Sequence, residues 1–224
     1  MNTTEYKIYI DAVIRRVESA RLKVSPHHIV KVVAVSKYSN SDEIKKLYEI
    51  GQRAFGENKV QDLKEKANAL ENLPLEWHFI GNLQKNKINN LLDIHPALFH
   101  ALDSLELAHE LQKKLEARDM TLDALLQINS AKEQSKHGVM PESACEAYAQ
   151  IKKECPNINL KGVMSIGAHT EDREIIKKSF DTTFEIFKQC EGATICSMGM
   201  SGDFELAIEC GSNMIRLGSV MFNK

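Results

Sequence analysis

The chain lacks an excess of either charge. Its 224 residues carry 29 Lys and Arg against 31 Asp and Glu, a formal net charge of −2. That argues against nucleic acid as the main partner, because nucleic-acid-binding domains usually carry a basic excess. A small anionic ligand held by a few local groups is still compatible. Long apolar runs are missing as well; none approaches the ~18 residues that a membrane span needs, so no membrane partner is expected. The opening residues, Met1-Asn2-Thr3-Thr4-Glu5-Tyr6-Lys7, contain no basic stretch followed by an apolar block. No secretory signal is visible, and a cytoplasmic location is expected. The cysteines, at 145, 155, 190, 196 and 210, are odd in number and form no Cys-x-x-Cys. Neither a disulfide framework nor a zinc site is suggested, and reduced, mostly buried thiols are expected. The histidines show no metal-ligand spacing, so no metal is expected.

What is present is an ordinary globular composition, 43% hydrophobic and 27% charged, in a chain long enough to bury a core without disulfides or a metal. Tyr6, Ile10, Val13, Val17 and Ala20 recur at helical spacing and predict an opening helix. A rhythm follows. The run Val32-Val33-Ala34-Val35-Ser36 is too apolar on both faces for a half-exposed strand and suits a buried parallel one. Ser39-Asn40-Ser41-Asp42-Glu43 then supplies helix-capping chemistry, and a helix runs to Gly51. The unit repeats, with strands expected at 53–56, 77–80, 98–102, 124–128, 160–166, 194–197 and 214–217. Helices are expected at 59–70, 85–92, 105–117, 142–154, 172–190 and 204–210.

Eight strands alternating with seven helices imply right-handed crossovers and a parallel sheet. That number closes a (β/α)8 TIM barrel, with the extra N-terminal helix covering the gap beside strand eight. No linker or charge block divides the chain, so residues 1–224 read as one barrel domain. The runner-up, an open doubly wound sheet, would be favoured by a Gly-x-Gly-x-x-Gly after a strand, and there is none.

In a closed parallel barrel the ligand sits at the C-terminal ends of the strands. Small, polar and glycine residues collect there: Ser36-Lys37, Gly56-Glu57-Asn58, Gly81-Asn82, Asp103-Ser104, Asn129-Ser130, Ser201-Gly202-Asp203 and Gly218-Ser219. Lys37 follows four apolar residues and one serine, so its amine should emerge from the rim on a partly buried stem. Such a lysine can attack an aldehyde; a lysine that merely snorkels at a strand end fits the same pattern. Ser201-Gly202-Asp203 opens a helix, and Gly218-Ser219 adds a second glycine-bearing loop, the pair of loops where barrels commonly hold phosphate. The bland alternative is that Ser201 or Asp203 caps its own helix. Arg216, inside strand eight, is costly unless paired or facing a ligand; Glu57, Asp103 and Glu209 are its candidate ion-pair partners. His78 reads as a satisfied core histidine. Met164, Met198, Met200 and Met214 read as core filling around the mouth, and Lys85 and Lys87 as a solvated face.

Several stretches together carry a resemblance. They are Ala34-Val35-Ser36-Lys37, Phe55-Gly56-Glu57-Asn58-Lys59-Val60-Gln61, the run from Trp77-His78-Phe79-Ile80-Gly81-Asn82 to Lys87, Ser197-Met198-Gly199-Met200-Ser201, and Gly211 to Ser219. They closely resemble the pyridoxal-phosphate homeostasis protein family, in order and over nearly the whole chain. That family is similar to the barrel domain of alanine racemase without that enzyme's C-terminal β domain. It binds pyridoxal 5′-phosphate, acts in vitamin B6 and amino-acid balance, and has no established catalytic reaction.

The resemblance implies the following roles. Lys37 would form the internal aldimine with pyridoxal phosphate. Ser201 and Gly218 would cradle the phosphate, with Ser219 where the family usually has Thr. Arg216 would face the pyridine nitrogen, and Asn58 would stand at the mouth. Departures are Asn82 where Pro is common, Lys85 where Ser is common, Gly202 where Asp is common, and Ile166-Gly167-Ala168 in place of a Pro-containing turn. An arginine at the ring nitrogen opposes its protonation, and the domain that supplies a racemase's second acid/base group is missing. The expectation is therefore a binder rather than an enzyme, with no catalytic residue assigned. It is also expected to be a monomer, since the racemase dimer is built by the missing domain. The rivals are a pyridoxal-phosphate-dependent racemase or lyase and a Schiff-base sugar-phosphate aldolase.

Overall fold

The computed structural model describes residues 3–133 and 136–222. Eight parallel strands close a barrel in chain order: β1 (Lys31–Val35), β2 (Ala54–Glu57), β3 (Glu76–Phe79), β4 (Leu98–Leu102), β5 (Leu122–Ile128), β6 (Ile158–Ser165), β7 (Ile195–Ser197) and β8 (Met214–Leu217). Closure comes from β8 pairing with β1, Ala34 beside Leu217. This is the (β/α)8 barrel that the strand rhythm predicts, and β4 and β8 have the expected bounds.

Crossover helices α2 (Ser41–Glu49), α3 (Val60–Ala69), α4 (Ile88–Leu92), α5 (Leu105–Glu116), α6 (Pro141–Glu154), α7 (Arg173–Gln189) and α8 (Phe204–Glu209) cover the outside. Their starts follow local chemistry. Asn40 forms a capping box with Glu43 on α2, Ser104 accepts the Leu107 N–H on α5, and Pro141 opens α6. The helix expected at 85–92 is divided into a 3-10 turn at Lys85–Lys87 followed by α4.

The N-terminal helix α1 (Thr3–Val24) buries Tyr6, Ile10, Val13, Val17 and Ala20, the expected stripe. It lies against α8 and against a short helix after β8 that the sequence pattern did not suggest, α9 (Ser219–Phe222). The Tyr6 hydroxyl donates to the Met221 carbonyl at 2.7 Å, and Arg16 and Lys23 pair with Glu205 and Glu209. The helix therefore does cover the flank beside β8.

Strand alternation decides which side chains face the axis. Ser36 and Glu57 point outward, since Glu57 meets Lys66 of α3. Val33, Val35 and Lys37 therefore face the interior side of β1. Gly56 is inward too, because a Cβ there would lie 3.2 Å from Val33. On β8 the inward set is Met214, Arg216 and Gly218.

Candidate functional site

The barrel mouth brings five of the six expected site residues onto the ends of three neighbouring strands, β7, β8 and β1. Lys37 leaves the end of β1. Arg216 sits in β8, and Gly218 and Ser219 follow it. Ser201, from the loop after β7, bridges to that corner: its Oγ accepts the Gly218 N–H at 3.1 Å and the Val220 N–H at 3.5 Å. Ser201 thus does not cap α8, and Asp203 makes no cap either; the Asp203 carboxylate accepts the Met200 N–H at 2.6 Å. Since the Ser201 oxygen accepts from two amides, its hydrogen is free to donate to an anion in front of them. The Ser219 N–H, first in α9, has no intrahelical acceptor.

Gly218 is where a ligand could approach. A Cβ at 218 would find only Val35, at 3.7 Å, an ordinary contact. The space beside this backbone is open on the inward side, as a phosphate cradle needs.

Lys37 departs from expectation in one respect. It is exposed rather than half-buried, and its Nζ lies 5.0 Å from the Tyr38 ring centroid. It stands two residues beyond the last β1 residue, Val35, past the paired part of the strand. Asn58 stands apart from the other five. It is exposed and lines a groove of about 320 Å³ with Val60, Phe79, Asn82 and Lys87.

Arg216 is buried, and none of its expected ion-pair partners reaches it. Its Nη1 donates to the Ser197 carbonyl at 3.0 Å and to Ser197 Oγ at 2.8 Å, and Nη2 donates to the Ser165 carbonyl at 2.9 Å. Three neutral acceptors offset the desolvation that an isolated cation would suffer. Burial pulls its pKa down to about 10, opposed by the Asp203 charge. The guanidinium is a fixed cation on the wall beneath the mouth.

His78 is buried in the core as expected, but it is only half satisfied, since its Nε2 has no hydrogen-bond partner among the described residues. Its partner is His100, which sequence reasoning missed although it interrupts the apolar strand Leu98–Leu102 just as His78 interrupts β3. Also missed was a buried outward cluster. Lys66 donates to the Glu57 carboxylate and to the Ser36 carbonyl, each at 2.7 Å, directly behind Lys37. Met164, Met198 and Met214 fill the core, but Met200 is exposed on the loop after β7, where it helps line a cavity of about 410 Å³. Lys85 pairs with Glu106 on the surface. The unusual turn after β6 packs closely: a Cβ at Gly167 would lie 2.9 Å from the Phe180 ring, and Lys136 donates to the Gly167 carbonyl at 2.7 Å.

Four of the cysteines are buried and none is disulfide-bonded; burial pushes the Cys190, Cys196 and Cys210 thiols up to about 12. Among the described residues no group of three His, Cys, Asp or Glu side chains could hold a metal ion. No helix among them is long and apolar enough to cross a membrane.

The family described as alanine racemase, N-terminal domain, matches residues 8–223. The pyridoxal phosphate homeostasis protein of Helicobacter pylori is 56% identical over 220 residues, which is 98% of this chain and 99% of that protein. The human protein of the same name is 36% identical over 87% of this chain and 76% of its own. PipY of Synechococcus elongatus, solved with PLP bound, superposes with a TM-score of 0.78 at 30% identity, over 93% of this chain and 98% of that one. An alanine racemase of Clostridium difficile shares the fold at 14% identity, with a TM-score of 0.73 over 94% of this chain and 56% of its own. By sequence along nearly its full length and by the barrel it forms, the chain belongs to the pyridoxal phosphate homeostasis protein family, built on the alanine racemase N-terminal domain.

Proposed function

We propose that this protein is a reversible holder of pyridoxal 5′-phosphate in vitamin B6 and amino-acid homeostasis, without robust catalysis, and that residues 1–224 work as one unit. In this reading Lys37 supplies the amine for the cofactor's aldehyde. Ser201 donates its free hydroxyl hydrogen to the phosphate, and Gly218 and Ser219 give it backbone access. Arg216 would face the ring nitrogen, and Asn58 would border the mouth. Support comes from the names of the relatives, from PipY solved with PLP bound, and from the open face at Gly218.

The observation that carries the reading is Arg216, a buried guanidinium held by carbonyls rather than by a carboxylate. Bound pyridoxal phosphate supplies a reactive aldehyde and a ring that serves as an electron sink. A fixed cation facing the ring nitrogen disfavours a proton there, because two positive charges would oppose each other. With the cofactor held there, Arg216 would oppose a proton on that nitrogen and weaken the sink, which suits storage over carbanion chemistry.

The absorption spectrum of the purified protein mixed with pyridoxal phosphate tests the reading. A yellow protein whose colour borohydride removes, with the cofactor fixed to the chain, is expected; a protein that stays colourless after dialysis overturns it. Ser201→Ala checks the phosphate assignment. A hydrogen bond to a charged group is worth about 1.5–3 kcal/mol, so affinity for pyridoxal phosphate should fall roughly ten- to a hundredfold. Pyridoxal, which has no phosphate, should bind almost as before. Equal losses for both ligands would remove Ser201 from the phosphate site.

A further inference from the structure

The inside of the barrel contains a polar series that crosses its core. His78 Nδ1 and His100 Nε2 are 2.9 Å apart, and both side chains are buried. On one side His100 Nδ1 lies 3.4 Å from Ser197 Oγ, which is 2.8 Å from Arg216 Nη1. On the other side His78 Nε2 has no hydrogen-bond partner among the described residues but lies 3.8 Å from the Glu76 carboxylate. Glu76 is the first residue of β3 and pairs with Lys31, the first of β1. The series thus runs from a guanidinium beneath the mouth to a carboxylate at the opposite, N-terminal end.

The protons in it can be counted. Burial pulls His78 down to about 4 and His100 well below the usual histidine range, with the Lys31 and Arg216 charges pushing the same way. Glu76 alone opposes the shift at His78. Each ring is therefore neutral near pH 7 and carries one N–H. Two arrangements exist. If His78 Nδ1–H donates, the His100 Nδ1–H and Arg216 both donate to the Ser197 oxygen, the Ser197 hydrogen has no acceptor among the described residues, and the His78 Nε2 lone pair faces the Glu76 carboxylate. If His100 Nε2–H donates, the Ser197 hydroxyl donates to His100 Nδ1 and keeps its oxygen for Arg216. The free His78 Nε2–H then faces Glu76. Only the second arrangement sets every donor against an acceptor or an anion.

We propose that Ser197, His100 and His78 are positioning residues for Arg216, joined in a one-way hydrogen-bond chain whose donors all point from the mouth toward Glu76. The Ser197 hydrogen is committed to His100, so its oxygen can only accept, and the guanidinium is held in one orientation. The consequence for the cofactor ring rests on the function proposed above; the chain itself does not.

Two measurements test it. In cofactor-free protein with 15N-labelled histidine, His78 and His100 should both be neutral with the hydrogen on Nε2 at pH 7. An Nδ1–H ring at either position, or a charged one, overturns the chain. In the second, Ser197→Ala deletes the acceptor. Pyridoxal phosphate and pyridoxal should then lose affinity by the same factor, about tenfold, because the damage is at the ring end. The absorption maximum of the bound cofactor should also shift. Wild-type affinity and spectrum in a folded Ser197→Ala protein would overturn the positioning role; if that variant does not fold, the wild-type nitrogen spectrum decides. Failure of wild-type protein to take up pyridoxal phosphate would instead count against the proposed function, with the nitrogen spectrum unaffected.

Discussion

Lys66→Met should lower stability by about 3–5 kcal/mol, the cost of stranding a buried charge. Glu57 is fully buried, and its Oε1 receives the Lys66 ammonium at 2.7 Å and the Ser36 hydroxyl at 2.5 Å. Its Oε2 has no hydrogen-bond partner, and among the described residues no cation other than Lys66 pairs with the carboxylate. The same ammonium holds the Ser36 carbonyl, so the backbone entering Lys37 loosens with it. A loss of this size is a large share of the roughly 5–15 kcal/mol that holds a domain together. Urea unfolding measures it as a lower midpoint. Glu57→Gln combined with Lys66→Met should recover much of the loss, because the charge is removed with its partner. A Lys66→Met protein within about 1 kcal/mol of wild type would mean that water already compensates Glu57.

Lys37→Ala should abolish borohydride-fixable pyridoxal phosphate completely while leaving the fold alone. The side chain is exposed and its contact is with the Tyr38 ring, so its removal should cost no more than about 0.5 kcal/mol. Weak, phosphate-dependent binding should persist, since Ser201 and Gly218 are untouched. Mass spectrometry after reduction reads the outcome directly. Cofactor still fixed to the Lys37→Ala chain would assign the aldehyde to another lysine, and Lys136 and Lys59 border the neighbouring cavities.

Much of the fold was legible because it is written in local patterns. The run from Val32 to Ser36 is apolar on both faces and can only be a strand covered on both sides. The spacing of Tyr6, Ile10, Val13, Val17 and Ala20 marks one helical face, and that face is buried. The order of strands then determines which segments end at the mouth, and it places Lys37, Ser201, Arg216 and Gly218 at or near that end. Tertiary structure alone decided what those residues touch. Arg216 meets Ser165 and Ser197, 51 and 19 positions away, rather than any carboxylate. His100 meets Ser197 across 97 positions, and Glu57 finds its cation on the next helix, at Lys66. Such contacts depend on strand register and on ring closure, which place side chains from distant strands at the same depth on one axis. Sequence periodicity reports the direction in which a side chain points. The depth at which it meets another is set by how eight strands shear and close, and no local stretch of the chain carries that information.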